Sequence, residues 1–390
     1  MSAPSSAAVP TPAQDPASAT GKPRVAVLFG GRSSEHAISC VTAASVLEAI
    51  DRDAYDVVPI GIAKDGRWVL ESGDTARLAI EGPDRLPEVD DSLPILSIAQ
   101  DGGAGSMVVH ESGAVPHALG HVDVVFPVLH GPFGEDGTIQ GLFEIADVRY
   151  VGSGVLASSV GMDKHYMKVV FQAAGLPLLP YAVITDRRWR NDPEACRAEV
   201  DALGYPVFVK PCRGGSSIGI SKVRSREELD AALEEARRWD PKVVVEAAAG
   251  DGAREIECGV LESLGGAAPE TSVVAEITVE GDHDFYDFAA KYLPEEATRL
   301  DVPAALDDVV ADEVRRLSAA AFDALSCEGL ARVDFFLLPD GRVVLNEINT
   351  MPGFTPTSMF PRMWAASGLP YPELVDRLLQ LALRRRTGLR

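Results

Sequence analysis

None of the five cysteines (Cys40, Cys196, Cys212, Cys258 and Cys327) stands in a C-x-x-C pair. Thiols scattered in this way fit buried or free side chains in a reducing compartment, the cytoplasm, rather than a disulfide framework. Basic residues are also scarce: 36 Lys and Arg face 58 Asp and Glu, a formal charge of −22. Such a balance argues against nucleic acid as a partner, because phosphate backbones demand a basic surface. No apolar run approaches the roughly 18 residues a membrane span requires, so no membrane partner is expected. A G-x-x-x-x-G-K-[ST] motif is absent, which excludes a P-loop, and no G-x-G-x-x-G follows the first strand. No repeat of solenoid period occurs. Residues 2–20 are rich in Ala, Pro, Ser and Thr and poor in bulky apolar side chains. They cannot offset their ordering entropy, and they lack the basic start and apolar core of a signal peptide. Residues 1–22 are therefore read as a disordered tail.

What remains is long enough for two or three domains: 390 residues in all, 46% of them hydrophobic and 24% charged. Order is predicted from Arg24-Val25-Ala26-Val27-Leu28-Phe29, a β-rich run ending in Gly30-Gly31. Ser33 and Ser34 then offer an N-cap for a helix running through Ile38 and Val46 to Ile50. Val57–Ile60 and Val122–Val128 repeat the apolar strand pattern, the second leading into His130-Gly131. Uninterrupted apolar strands are usually buried on both faces, which predicts an open parallel α/β sheet. Residues 73–120 read as loops and short strands. From Met162 onward the style changes. A helix over 164–174, a strand over 205–211, a glycine-serine loop over 213–219, a helix over 227–239 and a strand over 243–246 follow. Strand-rich sequence over 255–280 and a long helix around 309–326 come next. Strands over 330–338 and 342–349 are joined by a Pro339-Asp340-Gly341 turn.

The strongest chemical signal lies on that last hairpin. Residues two apart on a strand share a face, so Glu347 and Asn349 stand side by side and Asp334 joins them from the neighbouring strand. Two carboxylates and an amide oxygen form a hard-oxygen set suited to Mg²⁺ held between protein and phosphates. Lys210 ends an apolar strand before the glycine-serine loop and Lys164 starts a helix. Either lysine could reach phosphate oxygens while the N–H groups of Gly214 to Gly219 close over them. Each alone could equally be a snorkelling surface lysine, and the loop alone a flexible hairpin.

At this point the chain resembles the D-alanine–D-alanine ligases, from about Arg24 to the C-terminal helix. Seven stretches carry the resemblance in order. They are Gly30-Gly31-Arg32-Ser33-Ser34-Glu35-His36, Leu129-His130-Gly131-Pro132-Phe133-Gly134-Glu135-Asp136-Gly137, Met162-Asp163-Lys164 and Val209-Lys210-Pro211. Gly215-Ser216-Ser217-Ile218-Gly219, residues 285–292 and Asn346-Glu347-Ile348-Asn349-Thr350-Met351-Pro352-Gly353 complete the series. The resemblance implies a three-domain ATP-grasp fold of the α/β class. An N-terminal substrate-binding domain (23–162) is followed by a central lid domain (163–250) and a C-terminal catalytic domain (251–390), with ATP gripped between the last two.

Carried over by position, the resemblance assigns Lys164, Lys210, Ser217 and Lys291 to ATP phosphates and their loop, Glu246 to the adenosine side and Glu255 to ribose. Asp334, Glu347 and Asn349 match the metal ligands, with two Mg²⁺ expected and Mn²⁺ an accepted substitute. Glu35 matches the carboxylate that holds the first substrate's ammonium, and His130 a residue near its carboxylate. Arg332 and the Gly353 N–H match the oxyanion-stabilising pair, and Ser358 and Met359 the seat of the second substrate's carboxylate. Ser216, Tyr292 and Glu35 match a hydrogen-bonded set that closes a loop over the site. The implied activity joins two D-alanines through a D-alanyl phosphate for peptidoglycan precursor synthesis, by a cytoplasmic homodimer. Departures are local: Ala247, Gly214 and Ala289 stand where many members carry Lys or acidic residues.

Two rival readings remain at this stage. A sibling ligase would make D-alanyl-D-lactate or D-alanyl-D-serine, and a non-catalytic ATP-grasp protein would only bind nucleotide. Three features have plainer readings. His117 and His121 would pair on zinc only in a helix, which Pro116 and Gly120 oppose. Arg384–Arg386 read as a solvated helix end. Cys212 reads as packing rather than a nucleophile.

Overall fold

Val25 through Phe29 have no exposed surface, because the strand they form is covered on both faces. In the computed structural model, which describes residues 21–80, 86–98, 105–111, 113–279 and 298–388, this strand is β1 (Arg24–Gly30). It lies within an eight-stranded sheet. On one side come β2 (Asp56–Ile62), β3 (Trp68–Leu70), β4 (Ile95–Ile98), β5 (Ser106–His110) and β6 (His117–His121); on the other, β7 (Val124–Pro127) and β8 (Arg149–Tyr150). Pairings β1–β2, β1–β7 and β7–β8 are parallel, whereas β2 through β6 run antiparallel. The expected open parallel sheet is thus one half of a mixed one, running out to the edge strand β8. Its antiparallel wing is built of short, partly exposed strands, mostly from the region read as loops and short strands. His117 and His121 lie on the edge strand β6, so the helical zinc pair does not form. His121 instead stands 3.6 Å from Asp123.

Helix α1 (His36–Ala49) packs on β1 but is not capped by a serine. Glu35 occupies the N-cap position without a side-chain bond. Ser33 Oγ instead donates to the His130 carbonyl (2.7 Å) and accepts from Glu35 N (3.1 Å), tying the two loops that carry the substrate residues. Helices α2 (Thr138–Ile145), α3 (Val155–Met162) and α4 (Lys164–Ala173) lead out of this sheet.

The second sheet is antiparallel, in the order β11 (Ser221–Val223), β10 (Val207–Pro211), β12 (Lys242–Ala247), β9 (Tyr181–Thr185). Helices α5 (Asp186–Asn191), α6 (Pro193–Asp201) and α7 (Arg226–Trp239) accompany it, and α7 buries Leu229, Leu233 and Ala236 against it. The third sheet runs β15 (Thr298–Asp301), β14 (Glu270–Val279), β13 (Arg254–Leu261), β16 (Leu330–Leu337), β17 (Val343–Asn349). Helix α8 (Asp308–Ala324) covers one face through Val314, Leu317 and Ala321, and α4 adds Met167 and Phe171 to the same core. The β16–β17 hairpin turns where the sequence places Pro339-Asp340-Gly341, closed by Gly341 N to Leu338 O at 2.9 Å.

Helices α9 (Met359–Ala366) and α10 (Tyr371–Arg384) return to the first sheet. Phe360, Trp364, Leu374 and Leu378 share one core with Val25, Val27 and Phe126, and Tyr55 Oη donates to Asp376 at 2.6 Å. The last helix therefore holds the third sheet against the first.

Candidate active site

Cross-strand partners on adjacent strands carry the central residues. Glu257 on β13 pairs with Asp334 on β16, and Asp334 pairs with Glu347 on β17, so three carboxylates form a row across the sheet. Arg332 pairs with Asn349 one step along the same face. Arg332 donates to Asp334 through Nε (2.8 Å) and Nη2 (2.7 Å), and Asn349 Nδ2 donates to Asp334 Oδ2 at 3.0 Å. Burial opposes the charge of Arg332, but Asp334 and Glu257 outweigh it and hold the guanidinium firmly protonated. Among the described residues no three His, Cys, Asp or Glu side chains converge to hold a metal by themselves. Two carboxylates and an amide fit a small hard cation that completes its shell with phosphate and water oxygens, which is how Mg²⁺ binds.

This face looks across a cleft of about 280 Å³ at the second sheet. Lys164 Nζ donates to the Gly214 carbonyl (2.9 Å) and lies 3.4 Å from Glu347 Oε2. Lys210 Nζ lies 2.6 Å from Glu246 Oε2, and Lys168 pairs with the other oxygen of the same carboxylate. Burial pushes the Glu246 pKa up, yet the two lysines overcome it and hold the acid down to about 2. Glu255, Ser217 and Ala247 also line this cleft. Within the Gly214–Gly219 loop, Ser216 and Ser217 adopt φ of +53° and +58°, a left-handed conformation that costs energy in residues with a Cβ.

Ser216 Oγ donates to Glu35 Oε1 at 2.6 Å, spanning from the second sheet's loop to the start of α1. Beneath it lies a smaller chamber of about 90 Å³ lined by Glu35, His130, Glu135 and Gly353. Lys164, Gly214, Gly215, Ser216, Arg332 and Glu347 line both spaces. Gly131 stands at φ +75°, a left-handed conformation that favours glycine, and a Cβ there would also stand 2.5 Å from Glu35 Oε2. His130 is buried, with Nε2 3.3 Å from Thr42 Oγ1. Desolvation lowers its pKa from the usual imidazole value, against the pull of Glu35, and keeps the ring neutral. Glu135 accepts from Gly131 N at 2.6 Å; desolvation and then the neighbouring Glu35 charge push it up to about 8.

Ser358 Oγ sits over Gly353, where an added Cβ would lie 3.2 Å away, and accepts from Thr355 N at 3.1 Å. The Met359 side chain is buried against Ala275, Ile277 and Met363, so that position can offer the chamber only backbone at the N-terminus of α9. Lys291 and Tyr292 lie outside the described residues.

The comparisons with known proteins agree with one another. The family descriptions "D-ala D-ala ligase N-terminus" and "D-ala D-ala ligase C-terminus" match residues 24–153 and 170–380. The chain belongs to the D-alanine–D-alanine ligase family. It is 63% identical over 370 residues to the D-alanine–D-alanine ligase of Pseudarthrobacter chlorophenolicus, covering 95% of this chain and 96% of that protein. It is 58% identical over 390 residues to the ligase of the same name from Streptomyces griseus, covering 98% of each. Among solved structures it resembles the VanG D-Ala:D-Ser ligase from Enterococcus faecalis (TM-score 0.78, 33% identity, 93% of this chain and 99% of that one). It also resembles the D-alanine–D-alanine ligase from Coxiella burnetii (TM-score 0.76, 32% identity, 93% and 94%). Ligases of this family are ATP-dependent, and the fold is the ATP-grasp fold. Among the described residues no helix is long and apolar enough to cross a membrane.

Three ionisable residues of this ligase's cleft escaped sequence reasoning: Lys168, Glu135 and Glu257. Lys168 carries the one usable signal, standing four residues after Lys164 and so on the same helix face.

Proposed function

We propose that the chain condenses two D-alanines to D-alanyl-D-alanine, converting ATP to ADP and phosphate through a D-alanyl phosphate. One observation carries this reading: the larger cleft and the smaller chamber share Lys164, Arg332, Glu347 and the Gly214–Ser216 loop. A phosphoryl group at that junction would touch both a nucleotide and an amino acid. In the small chamber Glu35 holds the first D-alanine's ammonium, and the neutral His130 lies beside its carboxylate. A carboxylate oxygen attacks the γ-phosphorus and ADP departs. Lys164 and Lys210 neutralise oxygens of the phosphate chain. Glu246 faces the adenine, Glu255 the ribose, and Ser217 and Lys291 the phosphates. Asp334, Glu347 and Asn349 would hold Mg²⁺, two ions with Mn²⁺ as a substitute, which neutralises charge on the transferring group.

The second D-alanine, its carboxylate on Ser358 and the Met359 backbone, attacks as the neutral amine. The C–N bond forms, and Arg332 and the Gly353 N–H hold the oxyanion. The C–O bond to phosphate then breaks, and phosphate leaves with that oxygen. An acyl phosphate hydrolyses in bulk water, so the Gly214–Gly219 loop must stay shut. The Ser216–Glu35 bond, with Tyr292 as its further partner, serves that purpose. Domains at 23–162, 163–250 and 251–390, and a homodimer feeding peptidoglycan precursor synthesis in the cytoplasm, complete the reading. Exposed Ile145, Leu156 and Tyr166 on the mutually packed α2, α3 and α4 support a second copy as partner.

A second reading has support from the solved D-Ala:D-Ser ligase, whose nucleophile is D-serine. Purified enzyme with ATP, Mg²⁺ and equal D-alanine, D-serine and D-lactate decides between them when products are separated by chromatography. D-Ala-D-Ala is the expected main product near neutral pH. D-Ala-D-Ser or D-Ala-D-Lac as the main product would replace the substrate assignment, and no ATP turnover with any acid would leave only nucleotide binding. Tyr292→Phe should shift the ratio toward D-Ala-D-Lac.

A further inference from the structure

Glu257 is buried, yet the ligation chemistry above gives it no task. It occupies β13, directly opposite Asp334, so two carboxylates face each other on one side of the sheet. Like charges so placed repel, and a buried carboxylate survives there only with a cation beside it. That cation is Arg332, whose Nε lies 3.2 Å from Glu257 Oε2. The Nε–H donates to Asp334 Oδ1 (2.8 Å) and Nη2 to Asp334 Oδ2 (2.7 Å), so β16 holds the guanidinium by two hydrogen bonds while Glu257 faces it from β13 as an ion-pair partner.

The two grips differ in what else is asked of them. Both Asp334 oxygens serve Arg332, and one also accepts from Asn349. A divalent cation that draws on Asp334 and Asn349 must share those oxygens with the guanidinium, and the two positive charges repel. Glu257 is one strand farther from Glu347 than Asp334 is, on the opposite side of the row from the hairpin that carries the other donors. We propose that Glu257 is a positioning residue that keeps Arg332 aimed at the shared wall of the two chambers when Asp334 turns to the metal. It acts on the reaction through Arg332. Alignment of that kind carries weight, since misplacing a catalytic group by about 1 Å can cost roughly 100-fold in rate.

The inference rests on the ligase reading, and the test separates the two. A double-mutant cycle combines Glu257→Gln with Arg332→Lys in the full-length chain, following dipeptide formation, the KM for ATP and calorimetric ATP affinity with and without Mg²⁺. Expected are a fall in kcat of about 10- to 100-fold for Glu257→Gln, with ATP affinity and KM moving less than about threefold. In the Arg332→Lys background the same substitution should change kcat less than about twofold, because the residue it positions is gone. Glu257→Asp, which keeps the charge on a shorter stem, should recover part of the loss. Equal cost in both backgrounds, an unchanged kcat, or kcat and ATP affinity falling together would each overturn the assignment. If Glu257→Gln does not fold, the cycle with Glu257→Asp decides on the same terms. A wild type that forms no dipeptide defeats the ligase reading instead.

Discussion

Glu246 lines the larger cleft and Glu135 the smaller chamber, and the two carboxylates are treated in opposite ways. Glu246 sits between Lys168 and Lys210 and is held down to about 2, although desolvation works against its charge. Glu135 is desolvated with the carboxylate Glu35 as its neighbour and is pushed up to about 8. The cleft end is charge-closed, its acid ionised between two lysines. In the chamber, burial and the neighbouring Glu35 charge keep Glu135 protonated at neutral pH, so it adds no charge there. The lesson is that a buried acid keeps its charge where lysines pair it and keeps its proton where another carboxylate is its neighbour.

The comparison breaks first at the hairpin. Asp334→Asn and Glu347→Gln should each fold yet lose roughly 100-fold or more in kcat, the scale of removing one charge-stabilising group from a preorganised site. Normal turnover of both variants at saturating Mg²⁺ would detach the acidic row from the chemistry. Next comes the closed end. Lys168→Met leaves Glu246 with one lysine where it had two, so denaturant unfolding should show a loss of about 3 kcal/mol, and ATP should bind more weakly. A variant as stable as the wild type would mean that Lys210 alone suffices.

The pH dependence sharpens the contrast further. Glu246, depressed from 4.5 to about 2, contributes stability that is present above its unfolded pKa and lost as pH falls toward 2. Glu135, raised from 4.5 to about 8, contributes stability that is full below 4.5 and lost as pH rises through 8. Melting temperatures across this range should therefore show Glu135→Gln flattening the decline between about 4.5 and 8 and Glu246→Gln flattening the acid limb below about 4.5. Identical curves for the two variants would erase the distinction. The smallest effect belongs to the tail: deleting residues 2–20 should leave melting temperature and kcat unchanged within error, as none of the residues that line the cleft or the chamber belongs to that stretch.

Much of this was legible because it is local. The hairpin at 330–349 follows from alternation and a Pro-Asp-Gly turn, and the i, i+2 rule alone puts Glu347 and Asn349 together beside Asp334. The β1 and β7 strands follow from unbroken apolar runs. What was hidden depends on tertiary pairing. Nothing in Glu255-Ile256-Glu257 says which carboxylate lies across from Asp334, since that is set by a pairing 77 residues apart in sequence. The capping role expected of Ser33 failed because the His130 carbonyl, brought near by the parallel β1–β7 pairing, competes for its hydroxyl. The antiparallel wing β3–β6 was obscured by short strands with weak alternation. Lys168 finds its partner, Glu246, 78 residues away on β12, so its place in the site also depends on tertiary pairing.

The central claim is that the two chambers meet so that a D-alanine carboxylate attacks the γ-phosphorus. D-alanine carrying ¹⁸O in both carboxylate oxygens, incubated with ATP, Mg²⁺ and enzyme, tests it directly by mass spectrometry of the released phosphate. The account predicts one ¹⁸O in each phosphate formed with dipeptide; dipeptide accompanied by unlabelled phosphate would contradict it.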